Sequence, residues 1–274
     1  MMKKTKAWLY LGLGIMMLIW MVPLLTILLT ALKSKTDFYT QQSLFTLPDR
    51  LHWENFVNAW TSGSLGLYMK NGLIVCCVKV PLGLVCSSMC AFALSRLHIR
   101  HSNGIFIFIL VGMMLPSQMA LIPLNRLYSR LGLTNTYLCL WLTYIGFGIP
   151  TGTLVLRGFM RGIPKEIDES SYIDGCSKWQ SYLHVILPIS RPAIATVVIM
   201  DFLYTWNEFV LQSVFITKDT MKTVPNGLLS FIGEYTTDYG LLNAGVLISI
   251  IPVLIIYLIF QRYFVEGMAG AVKG

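Results

Sequence analysis

Long apolar runs, separated by short polar segments, dominate the pattern of hydrophobic and polar positions along the chain. A helix needs about 20 mostly apolar residues to cross the hydrocarbon core of a bilayer. Six runs reach or approach this length, and they predict an all-α integral membrane protein with a single membrane domain over residues 1–274. The six predicted transmembrane helices are residues 8–32, 68–94, 104–127, 134–156, 192–215 and 243–260.

Two of these runs carry features that bear on their structure. The first follows the basic segment 1–6, as a signal peptide would. It is longer than the apolar core of about 7–15 residues found in signal peptides, and no small-residue cleavage site follows it. We therefore predict a retained first helix.

The third run contains Pro116 within residues 113–118, and this proline predicts a break or kink of the third helix.

Composition supports a membrane protein. Hydrophobic residues make up 55% of the chain and charged residues 12%, whereas ordinary soluble domains carry about 25% charged residues. The mean hydropathy is +0.65. A net charge of +8 is compatible with nucleic-acid binding, but basic residues in membrane proteins gather in cytoplasmic loops and set the orientation. We expect a lipid bilayer around the protein and no nucleic-acid partner.

The distribution of basic residues predicts that both termini lie in the cytoplasm. With the N-terminus inside, twelve of the 21 lysines and arginines fall on the cytoplasmic side and seven on the opposite side. The cytoplasmic segments are then the N-terminus, the loop 95–103, the polar segment 157–191 and the tail 261–274.

The polar segment 157–191 interrupts the apolar pattern and holds four of the thirteen acidic residues, at 166, 168, 169 and 174. Pro164 suits the first turn of a helix, and the acidic residues that follow lie near the positive end of its dipole. Gly175 suits a left-handed helix end, and Ser177 with Gln180 fits a capping box for a second helix. The segment therefore predicts two short helices that meet at a glycine bend outside the membrane.

Its spacing is similar to a known motif. Glu169-Ser-Ser is followed by three residues, Gly175, nine residues and Val185-Ile-Leu-Pro188. This resembles the cytoplasmic loop of ABC importer permeases, whose pattern is Glu-Ala-Ala, three residues, Gly, nine residues and Ile-x-Leu-Pro. The chain departs from it at Ser170, Ser171 and Val185, which keep small or β-branched character. Residues 206–209 resemble the same family, and the tail 261–274 resembles its maltose-type branch, so that the resemblance spans nearly the whole chain.

The resemblance implies a type I ABC importer permease fold and a set of partners. These are a second homologous permease subunit, a dimeric cytoplasmic ATPase subunit that binds the ATP, and an extracytoplasmic solute-binding protein. The solute would be a sugar or a related compound, and the location a bacterial-type inner membrane. The protein itself would have no enzyme activity and no cofactor. The tail from Gly267 would rest against the ATPase.

The resemblance also assigns site residues in the polar segment. Its two short helices would be coupling helices, between the fourth and fifth transmembrane helices, that dock in a cleft on the ATPase. Their assigned ATPase-coupling residues are Glu169 and Gly175 at the centre, Ser170, Ser171 and Asp174 in support, and Leu187 and Pro188 at the end of the motif. The alternative is that the acidic residues only solvate a loop.

Charges inside the predicted membrane helices suggest a second site. Lys79, Asp201 and Glu208 are costly in a bilayer, at roughly 2.5–3.5 kcal/mol each on insertion scales. Asp201 and Glu208 are seven residues apart, which would place them on one helix face. They would either line the translocation path or form buried ion pairs and contacts with the partner permease. The candidates for the translocation path are Tyr204, Trp206, Asn207 and Glu208, although aromatic residues at helical spacing also fit simple packing.

Two other classes of function compete with an ABC permease: a stand-alone secondary transporter and a membrane enzyme. The sequence has no HExxH motif and no Ser-His-Asp candidate set, and its six cysteines lack metal-ligand or disulfide spacing. It also has no phosphate-binding loop of the form G-x-x-x-x-G-K-[ST]. If ATP drives this protein, hydrolysis must therefore belong to another chain.

Overall fold

The structure is a computed structural model that describes residues 2–271 apart from 41, 42, 44, 49, 234 and 235, and side chains between residues 8 and 262. Its described secondary structure is helical apart from one isolated bridge between Ile232 and Thr237. The helices are α1 (Met2–Ala31), α2 (Lys35–Thr40), α3 (Glu54–Trp60), α4 (Leu65–Arg96), α5 (Ser102–Met114), α6 (Leu121–Arg130), α7 (Tyr137–Arg161), α8 (Glu166–Ile173), α9 (Lys178–Ile189), α10 (Arg191–Asn207), α11 (Val210–Phe215), α12 (Val224–Leu228) and α13 (Tyr239–Ala271). Residues 272–274 of the predicted tail lie outside the described residues, as do the side chains from residue 263 onward.

Four helices are long and apolar enough to cross a membrane, and two bent pairs raise the number to six if each pair is one span. The four are parts of α1, α4, α7 and α13. The bent pairs are α5 with the segment Ser117–Arg130, at 80°, and α9 with α10, at 77°. The all-α membrane fold is confirmed, but the helix bounds differ from the predicted ones. For example, α7 extends to Arg161 and so includes the first five residues of the polar segment.

The third predicted span, 104–127, is not one helix. α5 ends at Met114, and Leu115 has an extended backbone with φ −87° and ψ 116°. Pro116 explains this conformation, because a residue that precedes proline avoids the helical region. A short 3₁₀ turn, Ser117–Ala120, then leads into α6. The predicted proline break is therefore confirmed.

The fifth predicted span, 192–215, is also interrupted. α10 ends at Asn207, Glu208 is extended with φ −67° and ψ 125°, and α11 begins at Val210. The prediction that Asp201 and Glu208 share a helix face is wrong, because the helix ends between them. The Glu208 carboxylate instead caps α11, accepting hydrogen bonds from the backbone amides of Leu211 (2.8 Å) and Gln212 (3.1 Å).

The described residues within 1–67 and 227–251 form one compact unit, and those within 68–226 and 252–274 form a second. In the first unit, the Asn55 side chain donates hydrogen bonds to the carbonyl groups of Ala31 and Lys33, both at 2.9 Å. These bonds satisfy carbonyl groups at and just beyond the end of α1. The rings of Phe38 and Tyr239 stack at 4.3 Å and attach α2 to the start of α13.

In the second unit, two buried apolar clusters both include residues of α4 and α7. One lies at the end that leads into α8 and α9 and includes Phe92, Met160 and Ile186. The other includes residues of α4, α6, α7 and α11: Val75, Tyr128, Leu140, Tyr144 and Phe215. Between α4 and α7 the backbones approach closely at Gly152, where an added Cβ would lie 2.8 Å from the Cβ of Ser87. Small residues permit such approaches in membrane helix packing.

We predict that Gly152→Ala lowers the thermal stability of the detergent-purified protein, by about 1–3 kcal/mol. The Cβ of Ser87 cannot rotate away, so α4 and α7 must separate. Gly158→Ala is the matched control on the same helix, because a Cβ at Gly158 would meet no atom of the described residues within 4 Å. Equal melting temperatures for the two variants would contradict this account of the packing.

Candidate functional site

The polar segment forms the two short helices that the sequence predicts. α8 has three acidic residues in its first turn, at 166, 168 and 169. The chain turns at Gly175, whose φ of +81° is left-handed and favours glycine. α9 starts with the predicted capping box: the Gln180 amide donates to Ser177 Oγ (3.3 Å), and the Ser177 amide donates to Gln180 Oε1 (2.8 Å).

α8 has a buried face that packs within the chain. Ile163, which precedes the helix, is buried, as are Asp168 and Ser171. Ser171 Oγ donates hydrogen bonds to the Asp168 carbonyl (2.7 Å) and to Ser181 Oγ of α9 (3.1 Å). Ser171 therefore joins the two short helices, and its small side chain allows them to lie close together.

The remaining motif residues of α8 and the turn face outward. Glu169, Ser170, Asp174 and Gly175 are all exposed. The structure thus brings four of the seven sequence-assigned coupling residues to one accessible surface, which we call the outer face of α8.

Leu187 and Pro188 lie elsewhere. Both are half-buried near the end of α9, and Leu187 packs against the apolar cluster that contains Ile186 and Met160. Tyr182, also in α9, is buried there and shares a 2.8 Å hydrogen bond with Ser88 of α4. The end of the motif therefore anchors α9 to the membrane helices.

The sequence analysis missed apolar residues on the exposed side of this segment. Ile173 is 87% exposed, and Trp179 is 55% exposed. Helical periodicity offered a signal for Ile173, because it lies six residues after Ile167 and is therefore rotated by about 120° from the inner face. A large apolar side chain this accessible beside carboxylates is typical of a contact surface for another protein.

Arg96 is a second missed residue. It ends α4, its side chain is only 4% exposed, and its Nη1 donates to Asp168 Oδ2 at 2.8 Å. A groove beside this pair is lined by residues that include Lys165, Glu169 and Tyr172. Burial raises the pKa of the Tyr172 phenol, and the negative charge of Asp168 adds to this effect. The phenol therefore stays neutral at physiological pH.

The membrane region contains a buried ion pair that joins α4 to α10. Lys79 Nζ lies 2.6 Å from Asp201 Oδ1, and their side chains are 0% and 14% exposed. Two glycines leave space for the pair: a Cβ at Gly148 would lie 3.1 Å from Lys79 Nζ, and one at Gly83 would lie 3.2 Å from Asp201 Oδ2. The buried ion pair, which the sequence analysis left open as one alternative, is the arrangement found.

A cavity of about 320 Å³ lies beside Asp201 and is lined by Ser117, Gly148, Thr151 and Tyr204, among others. Of the four candidate path residues, Tyr204 is the one that lines it. Asp201, for which the sequence analysis left a path-lining role open, lines it as well.

The other three predicted path residues have different surroundings. Trp206 is buried and stacks on Phe202 at 5.7 Å. The side-chain amide of Asn207 donates a hydrogen bond to the Leu203 carbonyl within its own helix. Glu208, besides capping α11, accepts a 2.6 Å hydrogen bond from the Tyr144 hydroxyl.

Comparison with known proteins identifies the family. Residues 80–270 match the family described as the inner membrane component of binding-protein-dependent transport systems. The chain belongs to this family. This permease is 35% identical over 272 residues to a probable ABC transporter permease protein, YurM, of Bacillus subtilis, with 99% of this chain and 89% of the relative covered.

Two further relatives have names that state a solute. The diacetylchitobiose uptake system permease protein NgcG of Streptomyces coelicolor is 34% identical, with 92% of this chain and 82% of the relative covered. The probable starch degradation products transport system permease protein AmyC of Thermoanaerobacterium thermosulfurigenes is 34% identical, with 95% of each chain covered.

The fold has a counterpart among solved structures. The permease superimposes with a TM-score of 0.80 on a chain of a bacterial ABC transporter involved in the import of the acidic polysaccharide alginate. The two are 20% identical, and the match covers 96% of this chain and 97% of the alginate transporter chain. The type I importer fold is therefore confirmed, as is the prediction of a multi-pass inner-membrane permease of an ABC importer. The permease class replaces the two alternatives that the sequence analysis left open, the secondary transporter and the membrane enzyme.

We predict that Lys79→Met strongly destabilises the permease, by about 3–5 kcal/mol, because it leaves the Asp201 carboxylate buried without its counter-charge. The double variant Lys79→Met/Asp201→Leu should recover most of this loss. Lys70→Met is the matched control, since Lys70 is an exposed lysine on the same helix. Thermal unfolding in detergent measures all three, and additive losses in the double variant would contradict the pairing.

Proposed function

We propose that this permease imports an oligosaccharide or a related solute, and that α8, Gly175 and α9 form the coupling segment that docks on a separate cytoplasmic ATPase. A second permease subunit, an ATPase dimer that binds the ATP and an extracytoplasmic binding protein complete the assembly. Both termini and the coupling segment lie in the cytoplasm, in keeping with the excess of basic residues on that side.

The outer face of α8 carries the docking proposal. Glu169 is exposed there together with Ile173, within the family motif. The carboxylate offers charge-assisted hydrogen bonds to basic groups of a partner, and Ile173 offers an apolar anchor for a pocket. The small Ser170 and the bend at Gly175 let a partner surface approach the backbone closely.

The connectivity of the helices supports the coupling part of the proposal. α9 is followed, after Ser190 alone, by α10, which carries both Asp201 and Tyr204. A displacement of the coupling segment by the ATPase therefore reaches the wall of the membrane cavity through one short bend. Alternation of this wall between two positions would open the path to one side of the membrane at a time.

Relatives and cavity chemistry support a sugar as the solute. The named relatives include permeases for diacetylchitobiose, starch degradation products, alpha-glucosides and arabinooligosaccharides. Another solved chain with the same fold belongs to an alginate transporter in complex with a pentasaccharide-bound periplasmic protein. In this permease, the Tyr204 hydroxyl and the Asp201 carboxylate line the cavity, and both can exchange hydrogen bonds with sugar hydroxyl groups.

We predict that Ile173→Glu abolishes recruitment of the ATPase, with at least about a tenfold loss of affinity, or 1.4 kcal/mol, because a charge would have to be buried in an apolar pocket. Ile173→Met, which keeps an apolar side chain of similar size, is the matched control and should bind normally. Glu169→Lys and Gly175→Arg should fail in the same assay. Copurification of the ATPase from detergent-solubilised membranes measures recruitment, and normal recruitment by all three disruptive variants would refute the docking assignment.

We predict that cells lacking this permease lose uptake of at least one labelled oligosaccharide, and that the intact gene restores it. Suitable probes are diacetylchitobiose, maltotriose, arabinotriose and an alginate pentasaccharide, with a labelled amino acid as the control for general membrane integrity. Unchanged uptake of every oligosaccharide in the deletion strain, under conditions where the permease is produced, would contradict a sugar solute.

A further inference from the structure

Arg96 holds together three parts of the chain at the base of the coupling segment. Its Nη1 donates to Asp168 Oδ2 on α8 at 2.8 Å. Its Nη2 donates to the Ile163 carbonyl, also at 2.8 Å, and to the Met160 carbonyl at the end of α7. One buried guanidinium group at the end of α4 therefore contacts both the end of α7 and the inner face of α8.

These contacts are of the strong, directional kind. The last carbonyl groups of a helix have no partner within it, and a cation is favoured at this negative end of the helix dipole. Arginine can satisfy several acceptors at once because its planar guanidinium group carries five N–H donors. Since the Arg96 and Asp168 side chains are only 4% and 12% exposed, breaking the pair would leave a buried charge.

A second arginine makes the reciprocal connection. Arg157 of α7 donates from Nη2 to Asn103 Oδ1 of α5 at 2.7 Å and from Nε to the Leu94 carbonyl of α4 at 3.4 Å. Its guanidinium group also lies 3.9 Å from the ring centre of Phe106. Arg157 thus joins the ends of α4, α5 and α7, and Arg96 joins α8 to the ends of α4 and α7.

Ile167 of α8 also packs against the apolar cluster that contains Met160, and Ser171 bonds to α9, but these contacts lack the charge-assisted hydrogen bonds of Arg96. Without this fastening, a displacement of α8 could shift the apolar packing and bend the linker 162–165. With it, α8 and the ends of α4 and α7 must move together. The two neighbouring acidic residues of α8 also separate in role, because Asp168 faces Arg96 in the chain interior while Glu169 faces outward.

We propose that Arg96, through its pair with Asp168, is a positioning residue for energy coupling. It makes the coupling helix α8 and the ends of α4 and α7 one rigid body, so that the motion imposed on α8 reaches the membrane helices. This role rests on the proposed docking of α8 to the ATPase. It differs from docking, because the Arg96 side chain is only 4% exposed and bonds to buried Asp168, whereas the docking residue Glu169 is exposed.

The test separates ATP hydrolysis from its effect on the membrane cavity. The complete complex, with its ATPase, partner permease and binding protein, is placed in lipid vesicles, and Ser117→Cys is introduced as a reporter because Ser117 lines the cavity. The rate of maleimide labelling at this position is measured with and without ATP, after subtraction of the labelling of the parent complex. ATP hydrolysis is measured on the same samples.

Arg96→Ala should leave the ATPase bound and hydrolysing, while the ATP-dependent change in labelling falls about tenfold. Arg96→Lys should retain part of the change, because a lysine keeps the charge but not the planar set of donors. Asp168→Asn should lose most of it. Arg100→Ala is the matched control, since Arg100 is an exposed arginine on the adjoining loop, and it should behave as the unsubstituted protein does.

A full labelling response in Arg96→Ala would overturn the proposal. A loss of ATPase binding equal to that of Glu169→Lys would also overturn it, because Arg96 would then act in docking alone. If the complex with Arg96→Ala does not assemble, the test is made with Asp168→Asn. A normal ATP-dependent change in labelling in that variant would refute the positioning role of Arg96. A reporter that does not respond to ATP in the unsubstituted complex would overturn the proposed function itself, and with it this role of Arg96.

Discussion

The ion pair between Lys79 and Asp201 constrains how the membrane part of this permease can be built. Two opposite charges at 2.6 Å are tolerated in a bilayer only if they stay paired and are shielded from lipid by neighbouring helices. The helices must then approach closely at this level, which requires Gly83 on α4 and Gly148 on α7. α4, α7 and α10 are thereby fixed around one point, and the cavity beside Asp201 lies next to it.

The same principle governs the base of the coupling segment, where a second buried pair, Arg96 with Asp168, joins α4 to α8. Both pairs use α4 as one partner. α4 therefore links the site where the ATPase is proposed to dock with the cavity proposed to form the path. In each case, the pair joins helices that are distant in sequence, by 72 residues for Arg96 and Asp168.

The sequence predicts the helical elements well because their causes are local. Six apolar runs, the proline break at Pro116 and the turn at Gly175 all depend on residues within a few positions of one another. The interruption at Glu208 escaped prediction, since its carboxylate caps α11 while the Tyr144 hydroxyl, 64 residues earlier, donates to it. Contacts between residues distant in sequence also decide the positions of Ser171 and Leu187. Their places in the motif suggest docking, but their side chains pack inward. The motif fixes spacing, whereas the packing of α8 and α9 against the membrane helices decides which side faces out.

The bend between α9 and α10 bears on how the proposed motion would travel. A 77° bend at a single residue suggests a hinge, but the amide and the hydroxyl of buried Ser190 both donate to the Ile186 carbonyl, at 3.0 and 2.8 Å. Ile186 of α9 and Val197 of α10 also share one apolar cluster. Because the bend is bonded on the inside and packed across both arms, α9 and α10 should rotate as one body. Asp201 lies eleven residues after Ser190, about 16 Å along α10, so a small rotation at α9 becomes a larger displacement at the cavity wall.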